Sequence, residues 1–150
     1  MPFITYPQTG GQVAVLFPAD FSLTLEEIAA KDVPAGLPFK IVDTLDIDDE
    51  FFNAYDFDPN NGVAENIARA QDIQKNKWRT LRAPILAKLD IFFSMALEAG
   101  DTAGQATIAG QKQALRDVTD TPLPSDSIAS IKAVVPEILT QTYSYTPPAA

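Results

Sequence analysis

Apolar positions near the start of the chain gather in two short runs, Phe3–Tyr6 and Gln12–Phe17, on either side of Gln8-Thr9-Gly10-Gly11. Both runs are rich in aromatic and β-branched residues. The Gly-Gly pair supplies the positive φ values that tight connections need, so the pattern predicts a β-hairpin. In Val13–Phe17 (VAVLF) successive residues on both faces are apolar, which calls for a cover on each face of that strand. An exposed edge there would also accept a partner strand. Thr24-Leu25-Glu26-Glu27 has the spacing of a capping box, with Leu23 and Ile28 placed as a hydrophobic staple, and predicts a short helix to about Lys31. The tetrad Val33-Pro34-Ala35-Gly36 reads as a type I turn, and Pro38–Asp43 as a third strand.

The pattern changes period at Val63–Gly100. This stretch has no β-branched run, no glycine before its last residue and one interior proline, so it predicts a long helix of about 55 Å. Trp78, Leu81, Ile85, Leu89, Phe92 and Ala96 step by three and four along one helical face, with Pro84 expected to kink it. Before Trp78 only Ile67 and Ile73 are large and apolar. Gly100 is a helix stop, and Thr102-Ala103-Gly104-Gln105 a second capping box. That box opens a helix to about Asp117 with Ile108, Leu115 and Val118 inward, completing an antiparallel helical hairpin. Thr119–Ser127 is loop by composition. Ile128, Ile131, Val134 and Val135 predict a short helix that Pro136 disturbs, and Tyr143–Ala150 a mobile or extended proline-containing tail. The expected fold is α+β: a small hairpin, helix and strand module over 1–58, a linking turn at 59–62, a helical hairpin module over 63–140 and a tail over 141–150.

Charge sharpens this division. Residues 1–63 carry eleven acids against two bases, Lys31 and Lys40, whereas residues 64–150 carry nine of each, so the whole net charge of −9 lies in the first part. Such a field opposes nucleic acid and anionic membranes as partners. No run reaches the length of a membrane span, and MPFITYPQTGG lacks the basic-then-apolar order of a signal peptide. Leu45–Phe57 combines Asp46, Asp48, Asp49, Glu50 and Asp56 with Phe51, Phe52, Tyr55 and Phe57. It reads either as an acidic connection whose aromatics fold back as a lid on the sheet, or as an acidic, aromatic contact surface for another protein. With the hairpin, the second reading makes Phe3, Tyr6, Val13, Val15, Phe17, Phe51, Phe52, Tyr55 and Phe57 candidate partner-binding residues. The bases Arg69, Lys75, Lys77, Arg79, Arg82 and Lys88 fall in the first two-thirds of the long helix, with Asp72 the one acid among them. They form a solvated face, or else Ile67, Arg69, Ile73, Lys75 and Lys77 dock the helix onto the acidic module of the same chain or another copy.

Candidate chemistry is sparse. Zero cysteine removes disulfides, thiolate metal sites and cysteine nucleophiles, and zero histidine removes the usual general base. Neither GxxxxGK[ST] nor GxGxxG occurs, and Ser94, Ser125 and Ser127 lack a nucleophile-elbow context. Asp56, Asp58 and Asn60 match the first ligand positions of an EF-hand loop. The glycine comes one place late, however, and Ile67 stands where the bidentate Glu belongs. No catalytic residue, metal or cofactor is expected, and enzyme activity is not.

Three stretches carry a family resemblance: Ala29–Asp43 (AAKDVPAGLPFKIVD), WRTLRAPILAKLD from Trp78, and Leu97–Asp117 (LEAGDTAGQATIAGQKQALRD). Together they resemble small proteins of tailed phages and prophages known as tail or tail-fibre assembly chaperones. The most specific part is Asp32-Val33-Pro34, Gly36 and Pro38-Phe39. Where such proteins show an aromatic Phe…Ala-Trp after the strand, this chain has Phe52-Asn53-Ala54-Tyr55. The resemblance implies an ATP-independent chaperone that shields a phage tail-fibre or tail protein in the host cytoplasm, as a homo-oligomer or hetero-complex. The alternative is a structural cap or adaptor retained in the virion tail.

Overall fold

The computed structural model describes residues 1–149 and shows an α+β chain with small sheets and one long helix. Packing divides it into two compact units, Met1–Ile73 with Asp126–Ile128, and Gln74–Ser125 with the chain from Ala129 onward.

In the first unit β1 (Phe3–Pro7) and β2 (Val13–Leu16) form the expected antiparallel hairpin, with Gly10 and Gly11 both at positive φ. Thr24 and Glu27 complete the capping box of α1 (Leu25–Asp32). The turn that follows starts one residue later than expected. The amide of Leu37 donates to the carbonyl of Pro34 at 3.2 Å, which makes Gly36 the third residue of the turn instead of the fourth. That is the type II arrangement, with the proline first instead of second. β3 (Lys40–Val42) then returns antiparallel to β1, giving the order β2-β1-β3.

Register decides what each face of this sheet buries. Ile4 lies opposite Leu16 and Ile41, and with Tyr6 these residues pack against Ile28, Ala29 and Val33 of the α1 side. The opposite face carries Phe3, Thr5, Val13, Val15 and Val42, since side chains alternate along a strand. This face is covered over Thr5 and Val13, both buried, and open toward Phe3 and Val15. A short 3-10 segment, Asp49–Ala54, leads into β4 (Tyr55–Asp58), which pairs antiparallel with β5 (Gly62–Glu65). Gly62 of that hairpin sits directly against the Val42 and Thr5 side chains. Residues 59–62, expected to link two modules, are therefore a hairpin tip and belong to the first unit. The reason is chemical: Asn60-Asn61-Gly62 suits a strand reversal as well as a helix entry.

The long helix α2 (Ile67–Glu98) begins four residues later than the sequence pattern placed it and contains Pro84. Its stretch up to Ile73 belongs to the first unit. There Arg69 forms an ion pair with Asp56 of β4, and Asn66 Nδ2 donates to the same carboxylate at 2.9 Å.

In the second unit Trp78, Leu89 and Ala96 are buried with Ile108, Leu115, Val118, Leu139 and Tyr143, and Ile85 and Phe92 pack against them. Leu81, expected on that face, is 45% exposed. α2 ends in a Schellman arrangement, with the amides of Gly100 and Asp101 donating to the carbonyls of Leu97 and Ala96. α3 (Thr102–Arg116) is capped by Asp101, whose carboxylate accepts from the amide of Gly104 at 2.9 Å, so the cap lies one residue before the Thr102 box. Arg82 does not point to a partner; its guanidinium donates to the last carbonyls of α3, Leu115 at 3.3 Å and Arg116 at 2.7 Å. Lys112 of α3 pairs with Asp90 of α2 at 2.5 Å.

The chain after α4 (Ile128–Lys132) is held more firmly than a mobile tail. Tyr143 is buried and donates to the Ile138 carbonyl at 2.7 Å, and Tyr145 donates to Asp101 Oδ2 at 3.0 Å. Aromatic burial outweighs the freedom that the prolines and serine suggested. Ala150, the last residue of the expected tail, lies outside the described residues. Asp101 thus joins a helix start to the C-terminal segment. Asp101→Ala is expected to cost about 1–2 kcal/mol in a denaturant melt, the upper range for a lost N-cap, with Asp101→Asn recovering most of it.

A candidate partner-binding groove

The sheet face bearing Thr5 is not covered along its whole length. Where β1 starts and β2 ends, an open groove of ≈ 270 Å³ is lined by Phe3, Val15, Phe17, Leu45, Ile47, Asp49 and Phe52. Phe3 and Val15 reach it because they share one parity of the pleat, and Phe17 reaches it from just past the end of β2. Phe3 and Phe17 meet edge to face, ring centroids 5.3 Å apart. Leu45 and Ile47 reach it from the connection after β3, and Phe52 from the 3-10 segment.

Phe17 is 66% exposed, and Phe21, on the loop that follows, is 77% exposed. Two phenylalanines left this open within a few residues mark a surface that gains by being covered. The groove is small beside most cofactor sites and suits apolar side chains of a bound segment. Its one charged lining residue is Asp49. The remainder of the acidic connection stands close in sequence, and Asp46 is exposed.

The candidate partner residues separate into two sets. Phe3, Val15, Phe17 and Phe52 come together in the groove. Val13, Phe51 and Tyr55 are buried in the first unit and offer nothing to a partner. Tyr6 packs on the α1 side, and Phe57 is half-buried in β4. The lid reading of Leu45–Phe57 therefore holds for Phe51 and Tyr55, because a strand with two apolar faces needs those rings more than the solvent-facing surface does. Tyr55 also fixes the connection: its hydroxyl accepts from the Asp48 amide at 3.1 Å. Burial pushes its phenol above the ordinary 10.0, with the carboxylates of Glu65, Asp48 and Asp46 adding to the effect.

Leu45, Ile47 and Asp49 were missed as site residues. Their signal is the alternation Leu45-Asp46-Ile47-Asp48, an extended period with one apolar side, hidden inside a stretch that reads as generally acidic.

The other candidates are placed elsewhere. Arg69 is engaged by Asp56, while Ile67, Ile73, Lys75 and Lys77 are all half-buried on α2. The carboxylates considered for calcium already have partners: Asp56 holds Arg69 and Asn66, and Asp58 Oδ2 accepts from the Asn61 amide at 2.7 Å. Among the described residues no group of three or more acidic side chains could hold a metal ion, and no helix is long and apolar enough to cross a membrane. The stretch Asp32–Phe39, which carries the resemblance, spans the end of α1 and the turn after it. Val33 is buried there, Phe39 is 42% exposed, and a shallow cavity of ≈ 170 Å³ lies among Ala29, Val33, Pro34, Gly36, Leu37 and Phe39.

No protein-family model, curated protein or solved structure matches the chain.

Proposed function

We propose that the chain is an assembly chaperone for the tail fibre, or another tail protein, of a tailed phage. In this reading it works without ATP, in the host cytoplasm, by covering sticky surface on its client until assembly. The observation that carries the reading is the open aromatic groove, with Phe17 two-thirds exposed, set in the acidic part of the chain. The resemblance in Ala29–Asp43, Trp78–Asp90 and Leu97–Asp117 supplies the phage context. A chaperone of this kind needs no reaction, in keeping with a chain that has neither cysteine nor histidine. Binding alone shifts the client's folding equilibrium, by about 2.7 kcal/mol when free chaperone stands a hundredfold above its Kd.

Co-expression with the fibre protein encoded beside it tests this. The expected result is more soluble, correctly trimeric fibre with the chain than without it; equal yields would overturn the proposal. A second reading, a structural part retained in the particle, is favoured by Ile91, Met95 and Leu97, which α2 leaves exposed. A stoichiometric copy number in purified particles would select it.

A further inference from the structure

The first unit carries an open strand edge beside the groove, and its hydrogen-bond parity shows which groups are free. The Gln8 amide donates to the Gln12 carbonyl at 2.7 Å, so this pair is a hydrogen-bonded one. Alternation along an antiparallel ladder then turns the amides and carbonyls of Ala14 and Leu16 toward β1, and those of Val13 and Val15 outward. An independent bond agrees: the Phe57 amide donates to the Gly11 carbonyl at 3.0 Å, on the outward side, where Gln12 bridges Asp56. Beyond that bridge β4 does not follow β2. The Val13 carbonyl takes the Gln8 side chain at 3.1 Å, but among the described residues the outward backbone groups of Val15 have no partner, and its side chain lines the groove. Pro7 fits the same parity, since at a position without a bond to β2 it needs no amide hydrogen.

We infer that the Val15 edge of β2 and the adjoining groove form one site, which accepts an extended segment of a partner protein as an added antiparallel or parallel strand. The inference rests on the chaperone reading and names how that site would recognise its client. The segment pairs its backbone with the Val15 amide and carbonyl, and sets alternate apolar side chains among Phe3, Phe17, Leu45, Ile47 and Phe52. Charge bears on the remaining positions. Asp49 lines the groove, Asp46 is exposed beside it, and residues 1–63 hold eleven acids against two bases. The field of this acidic surface therefore favours a segment whose remaining side chains are lysine, arginine or uncharged over an acidic one.

The test uses the full chain and a panel of fluorescent decapeptides in which Val, Ile, Phe or Tyr alternate with Lys, Thr or Glu. Lys- and Thr-containing members are expected to bind, and replacing Lys with Glu to weaken binding about tenfold. Methylating alternate backbone nitrogens of the best peptide abolishes binding if strand pairing is the mode. Val15→Pro removes only an outward amide and leaves the β1 ladder whole, so it keeps the far-UV spectrum and loses about tenfold in affinity. Phe17→Ser, at an exposed position, loses affinity for the apolar members. Absence of any binder, or Val15→Pro binding as well as the parent, overturns the inference. So does a concentration-dependent dimer that Val15→Pro dissolves, because the edge then belongs to a second copy. Fibre rescue by both parent and Val15→Pro would leave the chaperone reading standing without this site. Peptide binding without fibre rescue would leave the site standing without the chaperone.

Discussion

Trp78→Ala is expected to lower stability by about 3–5 kcal/mol, the range for removing a large aromatic from a packed core. Trp78 is 1% exposed and is the largest fully buried side chain of the molecule. It belongs to the cluster with Leu89, Ala96, Ile108, Leu115 and Val118, so its loss opens a cavity walled by α2 and α3 together. Helices of this composition gain little from their own hydrogen bonds and depend on such packing. Among the described residues the indole Nε1 has no hydrogen-bond partner. Trp78→Phe, which keeps an aromatic ring and removes that buried donor, is thus expected to cost about 1–2 kcal/mol, well below the alanine variant. Chemical denaturation monitored by far-UV circular dichroism checks both. Equal losses for the two variants would mean that a phenyl ring recovers none of the packing that the indole supplies.

Trp78 also illustrates what was legible in the sequence. Its helix announces itself through the three-and-four spacing of large side chains, and Ile108, Leu115 and Val118 through the same rule, all three buried as that spacing implied. Capping chemistry was readable at Thr24–Glu27, where Ser/Thr and Glu stand at the right distance and nothing competes. At Asp101 two adequate caps adjoin, and only the geometry of the preceding helix end chose the aspartate. The β4–β5 hairpin was not legible. Its strands are four residues each, Tyr55-Asp56-Phe57-Asp58 and Gly62-Val63-Ala64-Glu65, with acids at Asp56, Asp58 and Glu65, and neither has the β-branched density that marks a strand. They become strands by packing on a sheet formed by residues far earlier in the chain. The groove shows the same limit. Phe3, Val15, Phe17 and Phe52 were visible as aromatic and apolar candidates, but so were Phe51 and Tyr55, and burial alone separates them. Adjacent phenylalanines at 51 and 52 point opposite ways, one into the core and one to the groove, a choice that depends on where the 3-10 turn sets its axis. Arg69 was likewise visible as a base seeking an acid, without a sign of which acid; Asp56 is selected because β4 runs beside the start of α2.

Gly62→Ala is expected to be nearly as damaging as the loss of Trp78, although it adds a single methyl group. Gly62 has φ +87°, where an L side chain strains the backbone by about 1–2 kcal/mol. A Cβ there would also lie 2.7 Å from Val42 Cγ1 and 3.0 Å from Thr5 Oγ1. Thr5 is fully buried and Val42 is held in β3, so neither neighbour has room to yield, and overpacking adds about 1–3 kcal/mol. The expected total is about 2–5 kcal/mol. Gly10→Ala separates the two causes. Gly10 has φ +91° with open space around it, so alanine there meets only the backbone strain, about 1–2 kcal/mol. Both variants belong in one denaturation series against the parent chain. A clearly larger loss at Gly62 is the signature of β4–β5 seated on the Thr5 face of the sheet. Equal losses would mean that the hairpin tip stands away from that face, and the cover over Thr5 and Val42 would have to come from elsewhere.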